Sequence, residues 1–389
     1  MKLSKLFKEF FDSEKTAGLI LIGCTITSLA LTNIFGPSYS GFWHIQIFFK
    51  PLAFWINDGL MTIFFLLVGL EIEREIYTGE LSDSKRAMLP ILAAVGGMIV
   101  PAIIHYIFNH GTVAQNGFGI PMATDIAFSL AILSLLGSRV PGSLKIFLTA
   151  LAIIDDLGAI VIIALFYSKG LSLAYLGLAI LLFFIMFLLS RKRFYRTWAW
   201  LILGLAMWFF MYRSGIHPTI TGVLLAFAIP FGTGNETSTS SVLQHRLHKP
   251  VAFFVLPVFA LANTAILLPS SISSALMSSN SYGIIFGLFV GKPLGIFLFA
   301  IAGAAAGLCS IPAGIKRKHL FWTGLLGGIG FTMSIFITLL AFDDGTLIDG
   351  SKIAIILGSV LSGIFGYFGL RLALKQGTSG IDNANEEKI

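Results

Sequence analysis

The stretch "AIIDDLGAIVII" (Ala152–Ile163) sets two adjacent carboxylates, Asp155 and Asp156, inside an otherwise apolar run. That run extends over about residues 142–166, long enough to cross the hydrocarbon core of a bilayer as a helix. A charge at the centre of such a helix costs about 2.5–3.5 kcal/mol on insertion scales, so a doublet there needs a reason. Neighbouring helical residues point about 100° apart, so one carboxylate can look into a cavity while the other faces another helix. Two carboxylates this close in low dielectric do not both ionise easily, which makes the pair a proton site. Their oxygens equally suit a hard cation.

The rest of the chain fits that setting. Of its 389 residues 56% are hydrophobic and only 12% charged, against roughly a quarter charged in soluble domains. Apolar runs predict twelve crossings, near 16–34, 51–70, 88–108, 118–137, 142–166, 171–190, 195–213, 215–231, 250–268, 282–306, 319–342 and 352–374. The alternating ten-residue strands of a transmembrane barrel are not seen. With the N-terminus inside, 21 of the 26 basic residues fall on the cytoplasmic side; only Lys50, Lys169, Arg213 and Lys352 fall outside. This asymmetry places both termini in the cytoplasm and explains the net charge of +7 without a nucleic-acid partner. The expected organisation is a single membrane domain, 1–389. It has an amphipathic N-terminal segment (1–15), twelve helices across 16–374 and a cytoplasmic tail (375–389). The N-terminus lacks the short apolar core and cleavage site of a signal peptide. Cys24 and Cys309 form neither a disulfide framework nor a metal motif.

Beyond the doublet, Asp125 and Lys292 also lie near segment midpoints. Facing lipid, the four charges would cost on the order of 10 kcal/mol, comparable with a whole domain's stability. A single ion pair could be structural, but three acids and one lysine do not neutralise one another. Segment four, "GFGIPMATDIAFSLAIL", is punctuated by Gly117, Gly119 and Pro121. Segment eleven, "FWTGLLGGIGFTMSIFI", carries Gly324, Gly327, Gly328 and Gly330. Such density predicts unwound backbone, tolerated at membrane depth only where protein or a cavity surrounds it. Each is the middle of a triplet, segments 3–5 and 10–12, and the triplets enter from opposite sides. Interrupted helices at matching places in inverted repeats point to an alternating-access site.

Five motifs in order, "FFLLVGLEIERE" (64–75), "IPMATDIAFSL" (120–130), "LTALAIIDDLGAIVIIALFY" (148–167), "GKPLGI" (291–296) and "GIGFTMSIFI" (328–337), make the chain resemble the NhaA family of sodium/proton antiporters along nearly its full length. The resemblance implies an all-α twelve-helix fold with inverted-topology repeats and discontinuous helices four and eleven crossing at mid-membrane. It implies electrogenic, pH-regulated export of Na+ or Li+ in exchange for external protons across the bacterial cytoplasmic membrane. Carried over residue by residue, Asp155 and Asp156 bind the cation and protons with Thr124. Asp125 balances positive helix ends at the crossing, and Lys292 balances negative ones and pairs with Asp155. No cofactor, nucleotide or nucleic acid is implied.

Other positions read more weakly. Glu71 and Glu75 share one helix face at the inner mouth, where the family has a cation-attracting, pH-sensing funnel. His217, His245 and His248 are candidates for pH sensing, histidine being the residue type used for switches near neutral pH. Asp58, near the outer end of segment two, is a vestibule candidate. Gln244 stands where relatives can carry a glutamate in the pH-responsive loop. The outer loop of about residues 35–50 is short, where relatives that dimerise use a β-hairpin; "FWHIQIFF" is its trimmed counterpart and leaves a homodimer as an open partner. Among rivals, an intramembrane aspartyl protease needs its acids on different helices. An ATP-driven pump needs a phosphate loop that "GLFVGKP" does not make. A redox subunit would show a cofactor motif. A cation channel would conduct without obligatory proton coupling.

Overall fold

The computed structural model describes residues 5–168, 170–192, 197–232, 235, 238–268, 276–312 and 314–386. The side chains of residues 1–14 and of the tail from 376, and residues 233–234 and 236–237 of the Ser/Thr-rich inner loop, lie outside the description. Among the described residues eight helices are long and apolar enough to cross a bilayer: Lys15–Phe35, Leu52–Tyr77, Lys85–Asn109, Gln115–Leu135, Gly142–Phe166, Leu173–Arg191, Ser279–Ala305 and Gly345–Lys375. The pair Arg317–Gly327 and Phe331–Ala341, bent by 49°, makes a ninth when counted as one span. The expected crossings near 195–213 and 215–231 correspond to Thr197–Ser214 and the shorter Ile220–Ala228, and that near 250–268 to the end of a continuous helical run, Thr239–Pro250, Val251–Val255 and Leu256–Asn263. Pro218 and Pro230 bound Ile220–Ala228, since proline has no N–H to continue a helix and restricts the residue before it.

The chain forms two compact units. The first holds residues 1–19, 83–155 and 269–389, and so gathers segments 3, 4 and 10–12 with the first half of segment 5. Its centre is the contact of Ser84–Asn109 with the helix that carries Lys292. Gly96 and Gly295 face each other so closely that a Cβ on either would strike the other's backbone oxygen. Small residues at such a crossing let two backbones meet and maximise dispersion contact where no hydrophobic effect operates.

The second unit holds residues 20–82 and 156–268. Leu52–Tyr77 packs against Ile220–Ala228 through Gly69, whose added Cβ would lie 2.6 Å from Ala226, and Gly222, whose Cβ would strike the Thr62 carbonyl. Leu173–Arg191 and Thr197–Ser214 bury Ala179, Met186, Met207 and Met211. Two short strands, β1 (Gln46–Ile47) and β2 (Lys50–Pro51), pair antiparallel with Gln46 opposite Pro51. Phe48 at their turn takes a left-handed φ of 57°. The unit boundary falls between Asp155 and Asp156 along the unbroken helix Gly142–Phe166.

Candidate functional site

The first unit builds a charged centre from residues distant in sequence. In segment four a tight 3-10 stretch, Gln115–Met122, ends in extended backbone at Ala123 before Ile126–Leu135 begins. Pro121 removes a backbone donor inside that stretch, and the glycines before it bear no side chain to hold a wider turn. In segment eleven helical structure stops at Gly327 and resumes at Phe331. A Cβ at Gly328 would strike the Leu288 carbonyl, so this backbone is pressed against the lysine helix. That helix widens into a π turn at Gly287–Gly291, immediately before Lys292. Such bulges often mark functional positions.

Asp125 ties the two interruptions together. Its Oδ1 accepts the Phe128 N–H at 3.0 Å, capping Ile126–Leu135. Its Oδ2 accepts the Thr332 N–H at 3.0 Å, at the first turn of Phe331–Ala341, and also the Thr332 hydroxyl. Its own N–H donates to Ile329 O at 2.7 Å. One carboxylate therefore faces two helix N-termini, whose partial positive charge favours an anion.

The opposite ends, where carbonyls point outward, receive donors. The Lys292 ammonium donates to Met122 O. Ser334 donates to Ile120 O at 2.6 Å, Ser129 to Leu326 O at 2.9 Å, and Thr124 to Gly327 O at 2.8 Å. Asp155 enters this set through Oδ2, which lies 2.8 Å from Lys292 Nζ and 2.6 Å from Thr124 Oγ1. Its Oδ1 has no hydrogen-bond donor among the described residues. Thr124, Asp125, Asp155 and Lys292 are each at most 2% exposed, so the centre is buried. No three His, Cys, Asp or Glu side chains converge as a metal-binding group among the described residues. Any cation held here would therefore need hydroxyl and carbonyl oxygens beside a carboxylate, a set suited to a hard ion.

Asp156 is buried one residue further along the same helix, where the chain re-enters the second unit. That unit brings together Asp58 and His217, two residues read separately from the sequence, with His217 Nε2 3.4 Å from Asp58 Oδ1. The His217 ring also meets Thr219 Oγ1 at 2.7 Å. Asp58 lies in a widened turn, Trp55–Leu60, whose carbonyl at 58 accepts from Thr62 at 2.5 Å. At the other end of that span Glu71 and Glu75 are half-buried, and Glu75 accepts the Glu80 N–H at 3.0 Å. The acid that sequence reading missed is Glu73, 5% exposed and bonded to Ser240 at 3.2 Å. His248 is half-buried and His245 exposed on the same helix as Ser240, Thr239–Pro250. Also missed were Ser129, Thr332 and Ser334; their signal is a hydroxyl within one or two turns of each interruption.

Fold and centre together define a multi-pass membrane protein built around a buried carboxylate–ammonium pair at two helix interruptions. The family described as Na+/H+ antiporter 1 matches residues 8–370, and the chain belongs to it. It is 58% identical over 386 residues to a Na(+)/H(+) antiporter NhaA of Flavobacterium psychrophilum, covering 99% of this chain and 100% of the relative. It is 56% identical to one of Cytophaga hutchinsonii (97% of each chain) and 54% to one of Dechloromonas aromatica (95% and 96%).

Proposed function

We propose that this chain exchanges cytoplasmic Na+ or Li+ for external protons by alternating access, as a secondary transporter of the bacterial cytoplasmic membrane. The observation that carries this is Asp155. It is a buried carboxylate with one oxygen shared by an ammonium and a hydroxyl, and the other without a donor among the described residues. A proton or a cation can complete it, and each raises the cost of the other. Asp155 and Asp156 are the ion and proton ligands, with Thr124 in support. Asp125 and Lys292 neutralise the helix ends at the crossing. Two carboxylates can each give up a proton where one monovalent cation enters, so exchange moves net charge and is electrogenic.

The finer architecture belongs to the same reading. Twelve crossings form a single membrane domain with both termini cytoplasmic, supported by the distribution of basic residues. Segments four and eleven are discontinuous helices crossing at mid-membrane in two inverted repeats. Glu71, Glu75, His245 and His248 line an inner funnel, and Asp58 with His217 marks the outer vestibule. Both are places where pH regulates activity. A homodimer joined at the β1–β2 hairpin would cover Phe48, which is 92% exposed.

The test is an everted-vesicle assay with a preset acid interior. Addition of Na+ or Li+ dissipates the pH gradient, and K+ does so much less. Asp155→Asn and Asp156→Asn each abolish the response. A doubly substituted protein that still exchanged at the wild-type rate would refute the site, and a Na+ current independent of protons would favour a channel.

A further inference from the structure

The helix Ser84–Asn109 carries a polar cluster that the charged centre does not use. His105 and Asn109, one turn apart, are both 0% exposed. Asn109 Nδ2 donates to His105 O at 2.9 Å and to Ser279 O at 3.3 Å. The His105 ring meets Asn280 Oδ1 through Nε2 at 3.2 Å. Asn280 Nδ2 donates to Ser351 Oγ at 2.7 Å, and Ser351 donates to Leu347 O at 2.7 Å. The direction of this chain follows from its far end. The single Ser351 hydrogen goes to Leu347 O, so Ser351 receives from the Asn280 amide, which turns its oxygen to the ring. Nε2 therefore carries the ring hydrogen. Nδ1 is the unprotonated nitrogen, and it has no hydrogen-bond partner among the described residues.

The two elements that bring the Lys292 ammonium to Met122 O both rest on this ring. Gly117 belongs to the 3-10 stretch that ends at Met122, and a Cβ there would sit 3.1 Å from His105 Cε1. Gly283 belongs to the helix that leads to Lys292, and a Cβ there would sit 2.9 Å from His105 Cδ2. These are the ring carbons that flank Nε2. Each backbone thus approaches the ring as closely as a missing side chain allows, and in so dense an interior the ring acts as a spacer of fixed width. One turn beyond Gly283 the same two elements touch directly: a Cβ at Gly287 would lie 2.6 Å from Pro121 Cβ. From there they converge on Met122 and Lys292. We infer that His105 is a positioning residue for Lys292: its ring sets the distance between the 3-10 stretch and the lysine helix, and the donor chain through Asn280 to Ser351 stops the ring from turning. The consequence for transport rests on the exchange proposed above. The ammonium has Met122 O and Asp155 Oδ2 among its acceptors. A cation that takes Asp155 leaves the ammonium to lean on Met122 O, so a displaced Met122 O weakens cation binding.

The experiment uses the full-length protein purified in detergent, at one fixed pH. Na+ binding is titrated calorimetrically with NaCl, and choline chloride serves as control. Losing a hydrogen bond to a charged group corresponds to about tenfold in affinity, so His105→Ala should raise the Kd for Na+ by about that factor. His105→Phe keeps a ring between Gly117 and Gly283 but removes the donor to Asn280. It should melt lower than wild type, because a buried amide oxygen loses its partner, yet hold the Kd within about threefold. Equal Kd values in the folded fractions of the Ala and Phe variants would make His105 merely structural and overturn the inference. In a Lys292→Met background, His105→Ala should change the Kd by less than about twofold, since the group it positions is gone. An effect as large as in the parent overturns the inference too. Wild type, both single variants and the double variant are also melted without Na+. The two substitutions together should lower Tm by less than the sum of their separate effects, and additivity would again decide against a link to Lys292. That cycle needs no cation, so a wild type that bound no Na+ would sink the exchange reading while the melt still judged the positioning. Should His105→Ala fail to fold, His105→Leu, with no ring to reach Gly117, takes its place.

Discussion

Substituting Asp125 tests the link between the two helix interruptions most directly. Its two oxygens take three hydrogen bonds, from Phe128 N–H, Thr332 N–H and the Thr332 hydroxyl. Asparagine keeps the shape but has one acceptor oxygen, and its NH2 must face one of these donors. Leaving one buried donor unsatisfied costs about 1–3 kcal/mol. Removing the charge from two helix N-termini adds about 0.3–1 kcal/mol at each. The expected loss is therefore about 2–5 kcal/mol. With about 2.1 cal/mol/K of unfolding entropy per residue over 389 residues, a loss of about 3 kcal/mol lowers Tm by about 4 °C. Cys24 and Cys309, both half-buried, allow the melt to be followed with a thiol-reactive dye in detergent. Asp125→Ala, which removes every acceptor, melts lower still. An Asp125→Asn protein melting within roughly 1 °C of wild type would mean that the carboxylate does not hold the two helix starts together.

Gly96→Ala and Gly295→Ala each force backbone apart, at about 1–3 kcal/mol of overpacking, whereas Gly23→Ala meets nothing within 4 Å; yields of monodisperse protein should separate the first two from the third. Glu73→Gln and Ser240→Ala should be non-additive in a double-mutant melting cycle by about 1 kcal/mol, and additivity would show that their 3.2 Å contact is not maintained. Outside the spans, the Thr346 hydroxyl, with the Thr346 and Leu347 N–H groups, holds the Asp344 carboxyl below its ordinary value. Because the folded value is the lower one, the associated stability is present above the unfolded carboxylate pKa and lost as pH falls through the folded value. Thr346→Val should raise the Asp344 titration midpoint in carboxyl-carbon NMR, and an unmoved midpoint would remove the hydroxyl from its cap.

The charged centre was legible because charge is scarce in this chain. Asp125, Asp155 and Lys292 stand out against apolar neighbours, and the bilayer's penalty on isolated charge predicts that they meet. The interruptions were legible through Gly117, Pro121, Gly327, Gly328 and Gly330. The hydroxyl contacts were not. Ser129 and Leu326 are 197 positions apart, and Ser334 and Ile120 are 214 apart, so only the tertiary fold aligns them. Serine and threonine are ordinary in membrane helices, so nearness to an interruption is the signal they carry. Glu73 escaped notice for the opposite reason: in "LEIERE" acids and a base crowd a helix end, and one buried member looks like its solvated neighbours. The apolar run near 215–231 reads longer than the helix Ile220–Ala228 because hydropathy ignores the prolines that flank it, Pro218 and Pro230.

The contact between Gly96 and Gly295 has a consequence for the ammonium three residues away. With backbone lodged on backbone, the helix bearing Lys292 has no slack to slide or roll without opening that seam. Gly97 leaves room beside the stem instead: a Cβ there would sit 3.9 Å from Lys292 Cε. Any separation of this ammonium from Asp155 would therefore fall to rotation of the lysine stem rather than to movement of its helix.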